Sequence, residues 1–363
     1  MIKQVLMLVS VLAGALPPAI AFADRTVHVY NWSDYIAPDL LDEFTRETGI
    51  RVVYDTYDSN ETLETKLMAG RSGYDIVFPS GSFLQRQIKT RLYQPLDRAR
   101  LTNSANISSE IDAFLASYDP GLRYSVPYMW FTTGIAYNVE KMKSRLGGSV
   151  IDSWDIVLNP ENLRKVSDCG VYVLDSPEDI FSIGLRYMRL NADSKNPADY
   201  LRVSGMLQKL RPFIKKYHSS EYIAGLAGGD VCLAIGWTGD AFQARNRARE
   251  SGSNIELNYV IPKEGSLLSL DVFAIPVEAK NVTEAYAFID YLLRPESAQK
   301  NTNVTNFANG VNLSKQVLAP EIMENKSIYL DTETMKKLYT ISPPDLALQR
   351  MVTREWTRIK SGR

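Results

Sequence analysis

Between residues 27 and 88 the hydrophobic pattern alternates between a period of two and a period of 3.6, three times over, and that alternation decides the class of fold. Val27-His28-Val29-Tyr30 reads as a strand. Pro38 stands at a first helical position, Leu40, Leu41 and Phe44 follow at helical spacing, and Gly49 is a stop. Residues 50–54 form the next strand, residues 61–69 a helix closed by Gly70, and residues 74–78 an apolar, buried strand. Pro79-Ser80-Gly81-Ser82 breaks that strand before a helix over residues 83–88. Strands that alternate with helices predict a mainly parallel sheet with helices on both faces.

A second series repeats the pattern. Residues 171–174 are a strand, Ser176-Pro177-Glu178-Asp179 starts a helix with its proline at N1, and that helix runs over residues 180–190. Strands at 231–237 and 268–275 are each followed by a helix, at 240–249 and 284–293. No repeat or long flexible linker separates the two series, so the chain is expected to cross between two lobes more than once, with short crossings acting as a hinge. The lobes are expected at residues 24–126 with 250–298, and at 127–249 with 299–363.

The N-terminus sets the compartment. Lys3 is followed by an apolar stretch from 5 to 16, and Ala21-Phe22-Ala23 is a small-residue cleavage site, so residues 1–23 read as a secretory signal peptide. Removing them leaves about 340 residues, enough for two lobes. With 41 basic and 42 acidic side chains, the chain has no excess charge to attract a phosphate backbone, and nucleic acid is not an expected partner. Cys169 and Cys232 are the only cysteines. In an exported chain they read either as a disulfide or as two buried thiols, the even count favouring the bridge.

Four segments carry the chemistry. Asn31-Trp32-Ser33-Asp34-Tyr35, Pro79-Ser80-Gly81-Ser82-Phe83, Asp175-Ser176-Pro177-Glu178-Asp179 and Gly236-Trp237-Thr238-Gly239-Asp240 each lie where a strand gives way to a helix. In open α/β sheets ligands bind beyond the carboxyl ends of the strands. These ends offer rings, hydroxyls and carboxylates and almost nothing basic, which suits an organic cation. Each residue also has a plainer reading. Trp32 and Trp237 could be core residues, Glu178 at N2 complements a helix dipole, and Asp240 could be an N-cap. Asp271 interrupts the apolar strand Leu270-Asp271-Val272-Phe273-Ala274-Ile275, where an unpaired carboxylate is expensive, so it calls for a cationic ligand or a Lys or Arg partner.

Asn31 to Tyr35 followed by Ile36-Ala37-Pro38 resembles the start of the periplasmic putrescine- and spermidine-binding proteins of bacterial ABC importers. The resemblance continues in order through Lys66-Leu67-Met68-Ala69-Gly70, Pro127-Tyr128-Met129-Trp130, Cys169-Gly170-Val171, His218-Ser219-Ser220, Ala234-Ile235-Gly236-Trp237, Ile261-Pro262-Lys263-Glu264-Gly265 and Tyr291-Leu292-Leu293-Arg294-Pro295. It covers essentially the whole exported chain and is closest to the putrescine-binding branch. It implies a two-lobed, type II periplasmic solute-binding fold with a hinge, no catalysis, no metal or other cofactor, a monomer, and an inner-membrane ABC permease as partner.

The resemblance also implies residue roles. Trp32 and Trp237 match walls that sandwich the methylenes. Asp271 matches the carboxylate for one ammonium, with Ser33 nearby, and Glu178 and Asp240 match the acids for the other. Asp34, Tyr35, Ser80 and Ser82 line the first lobe's side and Ser219 the second's, and Cys169 is bonded to Cys232. Two positions depart from the putrescine-binding pattern: Ser269 replaces an aromatic wall and Phe307 replaces a tyrosine. A longer or bulkier cation would fill the space at Ser269.

Other classes fit less well. Carboxylates beside tryptophans also describe glycosidase clefts, but no G-x-S-x-G nucleophile is present and the acids make sense as counter-charges alone. His28 and His218 are far apart and the cysteines lack metal-ligand spacing. A sensor that presents its ligand to a membrane receptor would share this fold and cleft.

Overall fold

The computed structural model describes residues 25–313 and 318–362. The expected signal peptide, residues 1–23, lies outside the described residues. Among the described residues eleven strands are formed: β1 (Thr26–Trp32), β2 (Arg51–Tyr57), β3 (Ile76–Val77), β4 (Ser125–Asn138), β5 (Val171–Val173), β6 (Lys216–Tyr217), β7 (Leu233–Trp237), β8 (Leu257–Val260), β9 (Ser266–Ala274), β10 (Ala308–Asn309) and β11 (Leu338–Tyr339). The main path through the sheet runs β2-β1-β3-β9-β4-β7-β5-β6.

Each end of this path is parallel, as the alternation of periods predicts. β1 pairs with β2 and β3, and β5 with β6 and β7, all in parallel. The middle is antiparallel, because β9 and β4 run against each other and against their outer neighbours. The sheet is therefore mixed.

β4 joins the two halves. Its first part, Ser125 to Thr132, pairs with β9; its second, from Thr133 onward, pairs with β7 and β8. It contributes Val126, Tyr128, Met129 and Phe131 to one hydrophobic core and Ile135 and Ala136 to another. The first core also holds β1, β3 and Leu270, Val272, Phe273 and Ala274 of β9. The second holds β5, β7 and β8 and the helix Leu346–Ser361. Leu257 and Tyr259 of β8 belong to the second core, and Phe307 and Val311 to the first. Beside the expected junctions at 126/127, 249/250 and 298/299, β8 thus packs with the second core, and the chain after 298 contributes to both, with Ala308 in the second core between Phe307 and Val311 in the first. Along β4 the sequence carries no mark of a junction, since that strand is buried on both faces.

The two cysteines are bonded, with their Cα atoms 5.6 Å apart. The bond ties the turn entering β5 to the residue before β7. Gly170 makes that turn possible: it sits at φ 90, and a Cβ there would lie 2.3 Å from the Asp230 carbonyl oxygen. Both sulfurs are buried in the second core.

The bond closes a separation of 63 residues, for which chain entropy gives roughly 4 kcal/mol of stabilisation. The Cys169→Ser/Cys232→Ser protein is therefore expected to lose stability of that order in urea unfolding. A loss below about 1 kcal/mol would mean that pairing of β5 with β7 already holds the lobe together.

Candidate ligand-binding cleft

The four sequence segments meet because the strands that precede them end on one side of the sheet. β1 ends at Trp32, and β3 runs through Pro79 and Ser80 into the helix Gly81–Lys89. β5 leads into the helix Pro177–Tyr187, which has Ser176 as N-cap and Pro177 at N1. β7 ends at Trp237, where the helix Thr238–Glu250 begins. β9 runs antiparallel past these ends and brings in Ser269 and Asp271, two residues apart and so on one face. Together they surround a cleft with about 840 Å³ of empty space, counting solvent at its mouth.

Two tryptophans, at the ends of β1 and β7, meet in it. The Trp32 indole donates to the Phe78 carbonyl at 2.8 Å, and Tyr57 donates to the same oxygen at 2.6 Å. The Trp237 indole donates to Asp179 at 3.4 Å, and its backbone N–H donates to the Tyr222 hydroxyl at 2.9 Å. The two indoles approach edge to face, with centroids 5.7 Å apart. Phe131 and Phe307 close the apolar side: Phe131 lies 5.8 Å from Trp237 and 5.4 Å from Phe307, which packs 4.6 Å from Tyr35. Phe307 fits only because position 239 is glycine, where a Cβ would stand 2.2 Å from the ring.

The carboxylates are sunk among these rings. Asp271 is 2% exposed and accepts a hydrogen bond from the Ser80 hydroxyl at 2.6 Å. Asn60 orients that serine, donating to its hydroxyl at 2.9 Å and accepting from its backbone N–H at 3.1 Å. The Tyr35 hydroxyl lies beside Asp271 but, buried, has no well-formed hydrogen bond. Burial pushes Asp271 up to about 7, against the opposing effect of Ser80.

Asp240 is not an N-cap. Trp237 holds that position, and Asp240 in the first turn accepts from the Tyr222 hydroxyl at 2.6 Å. Burial raises it to about 7. Glu178 does occupy N2 and is likewise held near 7 by burial, while keeping part of its surface toward the cleft. Asp179 is raised too, chiefly by burial, although Ser176 at 2.6 Å and Thr133 both donate to it.

The nearby cations are engaged elsewhere. Arg86 pairs with Glu64, Arg247 with Asp34, and Lys360 with Asp175. Among the described residues, neither Asp271, Asp240, Asp179 nor Glu178 has a Lys, Arg or His partner within ion-pair distance. The alternative of a Lys or Arg beside Asp271 is thereby removed. Ser219 adds an unpartnered hydroxyl, 4% exposed, to the wall of the cleft.

Every residue expected in the site lines this cleft except Asp34. Asp34 has φ 56, a left-handed conformation, and pairs with Arg247 at 2.6 Å. Its carbonyl also accepts from Gln243 at 3.2 Å, so it links β1's end to the helix Thr238–Glu250 rather than facing the ligand space. Tyr57, Phe131, Asp179 and Glu61 also line the cleft, although the sequence does not single them out. Asp179 stood inside a segment already singled out. Glu61 looks like any acid at a helix start, and Phe131 lies on β4, which shows no alternation to reveal it as a strand. Among the described residues no cluster of His, Cys, Asp or Glu could hold a metal ion, and no helix is long and apolar enough to cross a membrane.

Residues 39–327 match the family of bacterial extracellular solute-binding proteins. The chain is 46% identical over 357 residues to the putrescine-binding periplasmic protein PotF of Escherichia coli K12, covering 97% of this chain and 96% of that one. It is equally 46% identical, over 354 residues, to the putrescine-binding periplasmic protein SpuD of Pseudomonas aeruginosa UCBPP-PA14, with the same coverage. Among solved structures, a putative spermidine/putrescine ABC transporter protein from Listeria monocytogenes superposes with a TM-score of 0.83 at 29% identity, covering 93% of this chain and all of that one. The strand ends, the mixed sheet crossed by β4 and the cleft between two cores are thus those of a type II periplasmic binding protein, and the chain belongs to the bacterial extracellular solute-binding proteins.

Proposed function

We propose that this protein is the periplasmic substrate-binding component of a polyamine ABC importer, and that it captures a polyamine cation by closing its two lobes and delivers it, as a monomer, to an inner-membrane permease. The observation that carries the reading is Asp271, a buried carboxylate whose hydrogen-bonding neighbour is a serine and which has no cation within reach among the described residues. The names of its relatives agree, since those relatives bind putrescine or spermidine. The lobe division follows the two cores, with β4 as one crossing.

The residues act as follows. Trp32 and Trp237 stack on the methylenes and attract the ammonium groups through their ring faces, at ~0.5–2 kcal/mol each. Asp271 takes one ammonium, and Glu178 with Asp240 takes the other. Trp32 and Asp271 belong to one lobe, and Trp237, Glu178 and Asp240 to the other. A bridging dication therefore stabilises the closed form in preference to the open one, which is what drives closure.

Asp271→Ala is expected to weaken polyamine binding by at least ~2 kcal/mol, since an ammonium is left buried without its partner. Titration calorimetry on refolded, ligand-free protein reads this directly. A loss under ~1.4 kcal/mol, or tenfold, would mean that another group holds that ammonium.

Binding is also expected to release protons. Asp271, Asp240 and Glu178 sit near 7 without ligand, and a bound ammonium favours their charged forms. Affinity should therefore be full above pH 7 and decline as the pH falls below it, with release on the order of one proton per ligand near neutrality. The same raised values mean that, between roughly pH 4 and 7, the folded ligand-free protein holds more protons than the unfolded chain, so its stability falls as pH rises. Calorimetry at pH 7 in buffers of differing ionisation enthalpy measures the release. Identical heats in all of them would show that the acids are already ionised before binding.

Ser269 pairs in register with Phe131 on β4, beside the apolar side of the cleft. Ser269→Phe is expected to restore an aromatic wall and shift preference toward the shorter diamine. Unchanged relative affinities for putrescine, cadaverine and spermidine would remove Ser269 from the length filter.

A further inference from the structure

Asp179 stands beside Glu178 at the start of the helix Pro177–Tyr187, and its carboxylate is held by protein donors. The residue is 7% exposed. Its Oδ2 accepts from the Ser176 hydroxyl at 2.6 Å, as an acid at the third helical position does when it reaches back to its own N-cap. Its Oδ1 accepts from the Thr133 hydroxyl and from the Trp237 indole N–H, the latter at 3.4 Å. Capping the helix accounts for the first oxygen and leaves the second unexplained.

Thr133 and Trp237 are cross-strand partners. They stand opposite each other on antiparallel β4 and β7, so their side chains leave the same face of the sheet. Theirs is also the first rung of that ladder: Thr132 still pairs with Leu268 of β9, and at Thr133 the strand takes up β7. Asp179, from a third element, accepts from both members of the rung. Tyr259 holds the adjoining residue, donating to the Thr132 carbonyl at 2.8 Å. The Asp179 carboxylate is thus fixed by Ser176 on its own helix and by Thr133 on β4 before the indole reaches it.

The two tryptophans of the cleft are oriented by different means. The Trp32 N–H meets the Phe78 carbonyl, a backbone group fixed by the sheet, and Trp32 is 8% exposed. Trp237 is only half-buried, and neither neighbouring ring stacks on it, Trp32 and Phe131 being inclined to it by 76° and 63°. An indole has a single donor and no acceptor. The group that takes this one bond therefore decides how the ring is turned, and for Trp237 that group is the side chain of Asp179.

We propose that Asp179 is a positioning residue: it turns the Trp237 ring to meet the ligand's methylenes and does so as a hydrogen-bond acceptor, without touching an ammonium itself. This role rests on the polyamine reading above for its ligand, whereas the contact with Trp237 exists without one.

The test compares Asp179→Ala, which removes the acceptor, with Asp179→Asn, which removes the charge and keeps an acceptor oxygen at the same reach. In titration calorimetry of refolded, ligand-free protein with putrescine and spermidine, Asp179→Ala should bind about tenfold or more weakly, and Asp179→Asn should stay within about threefold of the wild type. On Trp237→Phe, whose ring has no N–H, Asp179→Ala should add a loss of less than about threefold. In heteronuclear NMR of the isotopically labelled, ligand-free protein, the Trp237 indole N–H signal is identified by its loss in Trp237→Phe. It should move, and exchange faster with solvent, in Asp179→Ala.

An Asp179 that only capped its helix would leave that signal unmoved, and an unmoved signal overturns the proposal. Equal losses of affinity in Asp179→Asn and Asp179→Ala would overturn it too, because the charge would then be meeting an ammonium directly. So would a loss that persists in full on Trp237→Phe. If circular dichroism shows that Asp179→Ala does not fold, Asp179→Asn decides: a displaced indole signal with affinity kept supports the role, and an unmoved signal or a tenfold loss overturns it. If neither amine binds the wild type, the polyamine reading falls, and the indole signal alone decides whether Asp179 orients the ring.

Discussion

A carboxylate buried without a cation is the constraint around which this molecule is arranged. Asp271 lies on a central strand with apolar residues on either side, and what it accepts there is a serine hydroxyl. Removing a charged group from water costs several kcal/mol unless it is paired or neutralised. Asp240, Asp179 and Glu178 share the same condition, and the surrounding arginines and lysines are tied to other acids. A protein that gained only stability from these positions would do better with apolar residues there. The cost is recovered when a cation arrives, so affinity for the ligand and instability of the empty site have one origin.

β4 explains how a single cleft can be assembled from two lobes. It runs through both halves of the sheet, and the side chains at its start and end pack into different cores. Bending at one strand can therefore move one set of acids relative to the other without disturbing either core. Direct bonds join the two sides around the cleft, among them those of Thr132 to Thr238 and Tyr259 and of Gln243 to Asp34. The Asp34–Arg247 pair is among them, with side chains 37% and 41% exposed, and a pair so exposed contributes ~0–1 kcal/mol. A cation touching Asp271 on one side and Glu178 or Asp240 on the other is suited to add to these bonds.

Much of this arrangement is legible in the sequence, and the parts that are not have physical reasons. The β-α alternation foretells the parallel ends of the sheet, and the polar strand ends foretell the cleft. Trp32, Trp237, Glu178, Asp240, Ser269, Asp271 and Phe307 all stand in it. β4 escaped because a strand buried on both faces has no period of two, and because Pro127 argues against a central strand. The sheet accommodates that proline with a shift of register between Pro127 and Met129. Asp34 stands outside the lining of the cleft, its left-handed backbone, which composition does not announce in an aspartate, accompanying a pair with Arg247.

Charge and length are read by different parts of the cleft. The acids sit at strand ends and helix starts, positions set by the fold itself, and they define the ligand as a polycation. The walls are set by single side chains such as Phe131, Phe307, Ser269 and Ile341, which can change size without moving the sheet. Phe307 illustrates the limit of that freedom, since it is locked against Gly239 and the rings of Tyr35 and Phe131. Ser269 has no such lock: it is only half-buried and faces open space. Within such a frame, selection for a new chain length would act first on residues like Ser269, while the carboxylates, whose burial the whole fold enforces, keep the preference for cations.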